Sequence, residues 1–180
     1  LKKLKESVEK SSKKYDVDLT YITPRGKWYE YSWKGDSSKS GGLATNIGIH
    51  FFDMLIWIFG KVIKQEVHYS DKNKIGGYFE LEKARVKWFL SIDKKDLPKD
   101  SATPSFRSIK IDGTELEFSD VFSDLHTEVY KEILKGNGCG IKEAKPCIEL
   151  ANQIRQAKPL IKEEKNVHPF LLDSSGQSQK

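Results

Sequence analysis

Gly41-Gly42-Leu43-Ala44-Thr45-Asn46-Ile47-Gly48-Ile49-His50-Phe51-Phe52-Asp53-Met54-Leu55-Ile56-Trp57-Ile58-Phe59-Gly60 decides how this chain is read. From Ala44 to Phe59 nearly every side chain is apolar, and the strongly polar exceptions are Asn46, His50 and Asp53. On a helix of 3.6 residues per turn those three fall within an arc of roughly 60°, and Trp57 extends the line by one turn. A helix apolar all round is a buried helix. Buried polar groups are costly unless they are paired or face a cavity. The spacing therefore predicts a core helix that ends at Gly60 and presents an amide, an imidazole and a carboxylate on one wall of something largely dry. Gly41-Gly42, just ahead of it, allows another backbone or a ligand to approach closely.

Working outward, the amphipathic start from Leu1 to Tyr15 predicts a helix, and Val17 to Ile22 a strand. Lys27 to Trp33 reads as an aromatic strand after the Pro24-Arg25-Gly26 turn, and Gly35 to Gly42 as a polar loop. Beyond the helix the period changes to two, with strands at Val62–Tyr69, Gly77–Leu81 and Ala84–Ile92. Phe106–Ile111 and Thr114–Phe118 flank Asp112-Gly113, a hairpin signal. Helices over Phe122–Leu134 and Ile141–Lys162 close the chain. The expected fold class is α+β: an open, mostly antiparallel sheet with helices packed on one face and the other face available for oligomerisation. The folded domain is expected over residues 1–172, with 173–180 a disordered tail.

The chain has 180 residues, 37% hydrophobic and 32% charged, which suits one domain with a real core. No apolar run approaches a membrane span, and the charged first residues do not resemble a signal peptide. With Leu1 first and Met54 the only methionine, the chain reads as a piece of a longer protein. Cys139 and Cys147 form neither a disulfide framework nor a zinc site, and are expected as small buried residues near one helix start in a reducing cytosol. The net charge of +5 comes from scattered lysines densest at the termini, the pattern of solvated helix faces rather than of a polyanion site.

The run Gly41-Gly42, Asn46, Gly48, His50, Asp53 resembles the signature of the glucose–fructose oxidoreductase and inositol dehydrogenase (Gfo/Idh/MocA) family. There a Gly-Gly pair leads to an Asp or Asn, then Gly two residues on, His four on and Asp seven on. Element order resembles that family's C-terminal substrate and oligomerisation domain over essentially the whole chain. Tyr21 to Tyr29, Ser32 to Asp36, Asp124 to Tyr130 and Gly140 to Pro146 are similar to members oxidising a UDP-N-acetylglucosamine uronic acid at C3 for bacterial surface polysaccharide. The resemblance implies an NAD-dependent dehydrogenase in the cytoplasm whose cofactor and catalytic lysine belong to an N-terminal Rossmann domain. That domain has no counterpart here: Gly136 to Gly140 follows a helix rather than a strand, and Lys145 sits in a terminal helix. These residues alone are expected to be inactive.

Oxidising a secondary alcohol removes a hydride from carbon and a proton from oxygen. Imidazole suits the second task near neutral pH. The resemblance makes His50 and Asn46 the catalytic candidates, with Asp53 in support. Asn46 would fix the sugar hydroxyl; the family more often has Asp here, and an amide cannot take a proton. Arg25, Lys27, Lys39 and Ser40, joined by Lys34 and Ser38, are candidates for the diphosphate and carboxylate of the sugar nucleotide. His126 and Thr127 are substrate candidates on the next helix. No metal site is expected. Partners are expected to be the UDP-sugar, the chain's own Rossmann domain and a second copy in a homodimer or homotetramer, without nucleic acid or membrane. Two other readings stay open: a scaffold that kept the sheet and lost catalysis, and a single-stranded nucleic-acid binder stacking bases on Trp28, Tyr29, Tyr31 and Trp33.

Overall fold

A computed structural model of the chain describes residues 1–99, 101, 103–116, 125–138, 140–160 and 166–175. Six strands, β1 (Tyr15–Ile22), β2 (Val62–Ser70), β3 (Lys74–Leu81), β4 (Ala84–Ser91), β5 (Phe106–Ile111) and β6 (Thr114–Glu115), form one open sheet in the order β2-β3-β4-β1-β5-β6. Only β1 and β4 run parallel; the remaining pairs are antiparallel. The α+β expectation thus holds. Asp112 and Gly113 turn the β5–β6 hairpin with φ of 50° and 81°, the left-handed pair that such a tight turn requires.

Alternation along the strands sorts the two faces. Val17 and Leu19 of β1, Val86, Trp88 and Leu90 of β4, and Phe79 and Leu81 of β3 are fully buried on one side. Onto them pack α4 (Ile49–Phe59), α6 (Ile141–Gln156) and Val8 of α1 (Lys2–Lys10). Phe52, Leu55 and Phe59 supply the contact face of α4, with Leu150 and Ile154 doing so for α6. Among the described residues no helix is long and apolar enough to cross a membrane.

Three expectations need correction. The aromatic run is not a strand: Trp28–Tyr31 forms a short helix, α2, followed by a 3₁₀ turn at Trp33–Gly35 and the one-turn helix α3 at Ser37–Ser40. Its backbone bonds are local, Tyr29 N–H to Gly26 O at 2.9 Å and Ser32 N–H to Trp28 O at 3.0 Å. Strand β1, just ahead, already pairs on both sides with β4 and β5, so the segment could not add to the sheet beside it. Of the proposed stacking platform, Tyr29 is buried at 6% exposure and Trp28, Tyr31 and Trp33 stand out singly.

Second, the other face of the sheet is partly covered rather than open. A C-terminal strap, ending in α7 (Pro169–Ser175), lays Leu171 against Ile22 and Phe89. The uncovered part carries charge rather than aromatic rings: Arg85 grips Asp16 with two bonds of 2.6 and 2.9 Å, Lys87 meets Asp18 at 3.0 Å, and Lys14 meets Glu80. Third, the expected tail boundary at 173 falls inside α7, and residues 176–180 lie outside the described residues. The expected helix over 122–134 is seen as α5 (Leu125–Leu134).

His168 pins the strap. Its ring is 2% exposed, stacks on Phe89 at 5.8 Å, accepts the Phe170 N–H at Nδ1 (3.3 Å) and lies 3.1 Å from Thr20 Oγ1 through Nε2. An accepting Nδ1 requires the neutral ring with its proton on Nε2. Burial lowers its pKa from 6.5 to about 4, with Asp18 pulling it up and Lys87 pushing it further down. The unfolded chain therefore takes up the proton first. Stability from this group is complete above about pH 6.5 and is lost as pH falls toward 4, by at most about 3 kcal/mol. Urea unfolding at pH 7 and pH 4.5 will show that loss in the parent protein but not in His168→Gln, which has nothing to protonate there.

Candidate functional site

A wide turn precedes α4. Residues Ala44–Gly48 form a π-helical turn that runs into the α-helix at Ile49. Such turns arise where a helix absorbs an extra residue, often beside functional groups. Here close packing fixes it: a Cβ on Gly48 would stand 2.7 Å from Leu90 Cδ1 and 2.9 Å from the Phe52 ring. Glycine lets the helix start sit against the sheet, and that contact sets which way Asn46, His50 and Asp53 point.

They point outward. Asn46 is half-buried, and His50, Asp53 and Trp57 are exposed on the side of α4 opposite Phe52, Leu55 and Phe59. The expectation of a dry wall is corrected in this respect: within this chain the polar line faces solvent, because the apolar arc of the helix is fully spent on the sheet and α6. At its far end Lys5 of α1 closes the line, donating from Nζ to the Trp57 carbonyl at 2.7 Å and lying 4.8 Å from the Trp57 ring centre.

Asn46 is held from two sides, its Nδ2 donating to Tyr29 Oη and to the Lys34 carbonyl, each at 3.2 Å. The aromatic segment thus becomes the anchor of the site rather than a strand. With Nδ2 committed, the Asn46 carbonyl oxygen is the atom left to address a ligand hydroxyl. Partial burial raises the Asp53 carboxyl above its ordinary pKa, against the downward pull of His50. Behind the line, Cys147 donates its thiol to the Ile49 carbonyl at 3.2 Å, and burial, with Asp53 adding, pushes it up to about 12. It is a packing residue, and Cys139 lies outside the described residues.

The other candidates scatter. Arg25 lines a cavity of about 340 Å³ beside Lys94 and Lys95, at the end of β1. Lys27 is exposed ahead of α2, and Lys39 is tied to Asp36 at 3.5 Å. Ser40 is buried with its hydroxyl accepting the Gly42 N–H at 3.2 Å, so it shapes the loop. Thr127 is exposed on α5, and the side chain of His126 lies outside the described residues. A larger cavity, about 540 Å³, opens between Tyr29–Ala44, the β2–β3 turn and the end of α6. Lys72 and Arg155 on its wall escaped the reading of the sequence, because nothing in a single chain links positions so far apart. Among the described residues no group of three His, Cys, Asp or Glu side chains is placed to hold a metal.

The profile of the oxidoreductase family's C-terminal α/β domain matches residues 10–94. Among solved structures it is similar to the WlbA (WbpB) dehydrogenase of Thermus thermophilus. In complex with NAD and α-ketoglutarate that enzyme matches at 50% identity with a TM-score of 0.87, and in complex with NAD and UDP-GlcNAcA at 49% and 0.86; both alignments cover 93% of this chain and 55% of the other. The WlbA dehydrogenase of Bordetella pertussis, in complex with NADH and UDP-GlcNAcA, shares the fold at 17% identity and a TM-score of 0.63, over 91% of this chain and 60% of that one. The chain therefore spans about half the length of these relatives.

The Tyr29–Asn46 bond will couple two residues that sequence separates. Tyr29→Phe and Asn46→Ala should each cost about 1 kcal/mol in urea unfolding, and the double variant less than their sum. Strict additivity would show that the bond contributes nothing.

Proposed function

We propose that this chain is the substrate-binding half of an NAD-dependent dehydrogenase that oxidises the C3 hydroxyl of a UDP-N-acetylglucosamine uronic acid, for bacterial surface polysaccharide. The observation that carries the reading is the exposed His50 ring one turn beyond an Asn46 amide braced by Tyr29 and Lys34. The similarity to an enzyme described in complex with NAD and UDP-GlcNAcA supports the substrate class.

The glycine-rich segment beginning at Gly136 joins α5 to α6 rather than a strand to a helix, so it offers no cradle for a dinucleotide diphosphate. We place cofactor binding in a Rossmann half outside this chain, and the residues here serve the proton and the sugar. With the sugar against α4, His50 receives the C3 hydroxyl proton or relays it onward. The Asn46 carbonyl oxygen accepts from a neighbouring hydroxyl and fixes the ring's orientation. Asp53, three residues beyond His50 on the same face, favours the imidazolium once it has formed. The exposed line is then the surface on which the cofactor half closes, excluding water from the reaction.

Assembly as a homodimer or homotetramer through the uncovered, charged part of the sheet face, in the cytoplasm, completes this reading. His50→Ala in the full-length enzyme should lower kcat by about 10²- to 10⁴-fold. Because the ring is exposed, urea stability should change by no more than about 0.5 kcal/mol. Turnover within twofold of the parent would remove His50 from the mechanism.

A further inference from the structure

The segment that fixes Asn46 is selective about what it will fix. In the 3₁₀ turn at Trp33–Gly35, the Ser32 carbonyl accepts from Gly35 N–H at 3.1 Å and the Trp33 carbonyl from Asp36 N–H at 3.3 Å. Among the described residues no main-chain N–H reaches the next carbonyl, that of Lys34. The Asn46 amide supplies the missing donor at 3.2 Å. A helical turn ends on carbonyls that must find such partners, and one left without a donor is costly. This carbonyl cannot swing away, because the turn lies tight on α2. A Cβ on Gly35 would stand 2.5 Å from the Tyr29 carbonyl oxygen and 2.9 Å from Glu30 Cα.

A carbonyl oxygen accepts and cannot donate. Turned end for end, the amide would set its own oxygen against that of Lys34, so one orientation of Asn46 is enforced. The Tyr29 hydroxyl, on a ring 6% exposed, takes the other Nδ2 proton at 3.2 Å. A carboxylate at this position would face the Lys34 carbonyl as acceptor to acceptor, and the nearby cations are engaged elsewhere. Lys34 Nζ lies 5.9 Å from the centre of the Trp33 ring, Lys72 pairs with Glu30 at 3.4 Å, and Lys39 with Asp36 at 3.5 Å. On α4 itself the titratable groups of the same side are His50 and Asp53, both exposed.

We infer that Tyr29 and the Lys34 main-chain carbonyl are positioning groups that admit an amide at position 46 and exclude a carboxylate, so that α4 turns a fixed, uncharged acceptor toward its ligand. The inference rests on the proposed reading that the ligand lies against α4, and it deepens that reading in one respect. The ligand group that meets Asn46 has to be a hydroxyl or N–H donor, because the amide cannot turn round to donate to a ketone or a carboxylate.

Urea unfolding of the chain tests the selection without reference to turnover. His50→Ala is carried throughout, so that imidazole charge does not enter, and Asn46→Asp and Asn46→Ala are each compared with that parent at pH 7 and pH 4.5. A carboxyl whose surroundings oppose its ionisation destabilises the fold above its ordinary titration range and not below it. The expected result is a lower urea midpoint for both variants at pH 7, with the Asn46→Asp deficit at least halved at pH 4.5 and the Asn46→Ala deficit unchanged. An Asn46→Asp chain unfolded at pH 7 is decided in the same way: recovery of the fold at pH 4.5 supports the selection, and failure at both overturns it. No deficit at pH 7, or one indifferent to pH, also overturns it. In the full-length enzyme, Tyr29→Phe should raise KM about threefold or more with kcat nearly kept, and add nothing to Asn46→Ala, because it acts through the amide. An equal rise in KM on the Asn46→Ala background would remove Tyr29 as a positioning residue. If the unfolding pattern appears while His50→Ala turns over normally, the catalytic reading fails and the selection stands; if the pattern is absent while His50→Ala abolishes turnover, the reverse holds.

Discussion

Phe52 holds the architecture together. Its ring is fully buried, edge-on to Phe79 at 5.5 Å and to Trp88 at 5.4 Å, so one helical side chain is clamped by neighbouring strands β3 and β4. Truncating such a residue ordinarily costs 3–5 kcal/mol or so. The clamp also sets the rotation of α4 about its own axis. A helix held by a ring at position 52 and by the bare backbone of Gly48 cannot turn without opening a void on one side and a clash on the other. With the rotation set, Asn46, His50 and Asp53 can only face away from the sheet. The direction of the chemistry is thus a packing result: a core contact decides where an imidazole points.

That dependence explains why much of the fold was legible from residue order alone. The apolar period of α4, the alternation in β4 and the Asp-Gly turn are local statements, each settled within a dozen residues. Aromatic residues from 28 to 33 misled because strand preference is mostly a preference for packing on a sheet, and both edges of β1 were already taken. Sequence offers no sign of which edges are occupied. The same limit hid the strap: Val167 to Leu172 is short and mostly apolar, but where it docks depends on Phe89 and Thr20, far away in sequence.

The polar line shows a subtler limit. Residue spacing puts three polar groups on one face of an apolar helix, but it does not say that this face is buried. What the helix buries here is its apolar arc, while the line faces out. Period fixes which residues share a face, but which face the neighbouring elements occupy is settled only by their packing, here by the sheet and α6.

Seen this way, the half-burial of Asn46 has a further physical meaning. His50 and Asp53 stand free on the helix, able to adjust when another surface closes over them. Asn46 is already fixed by two hydrogen bonds within this domain, to a side chain and to a backbone carbonyl of the segment ahead of α4. Holding one group rigid before the ligand arrives removes its ordering cost from the binding step. The partners that hold it, Tyr29 and Lys34, are also cavity walls, so a ligand pressing on that cavity presses on the brace of the amide. The brace of the amide and the wall of the cavity are therefore the same two residues, so neither can shift without moving the other.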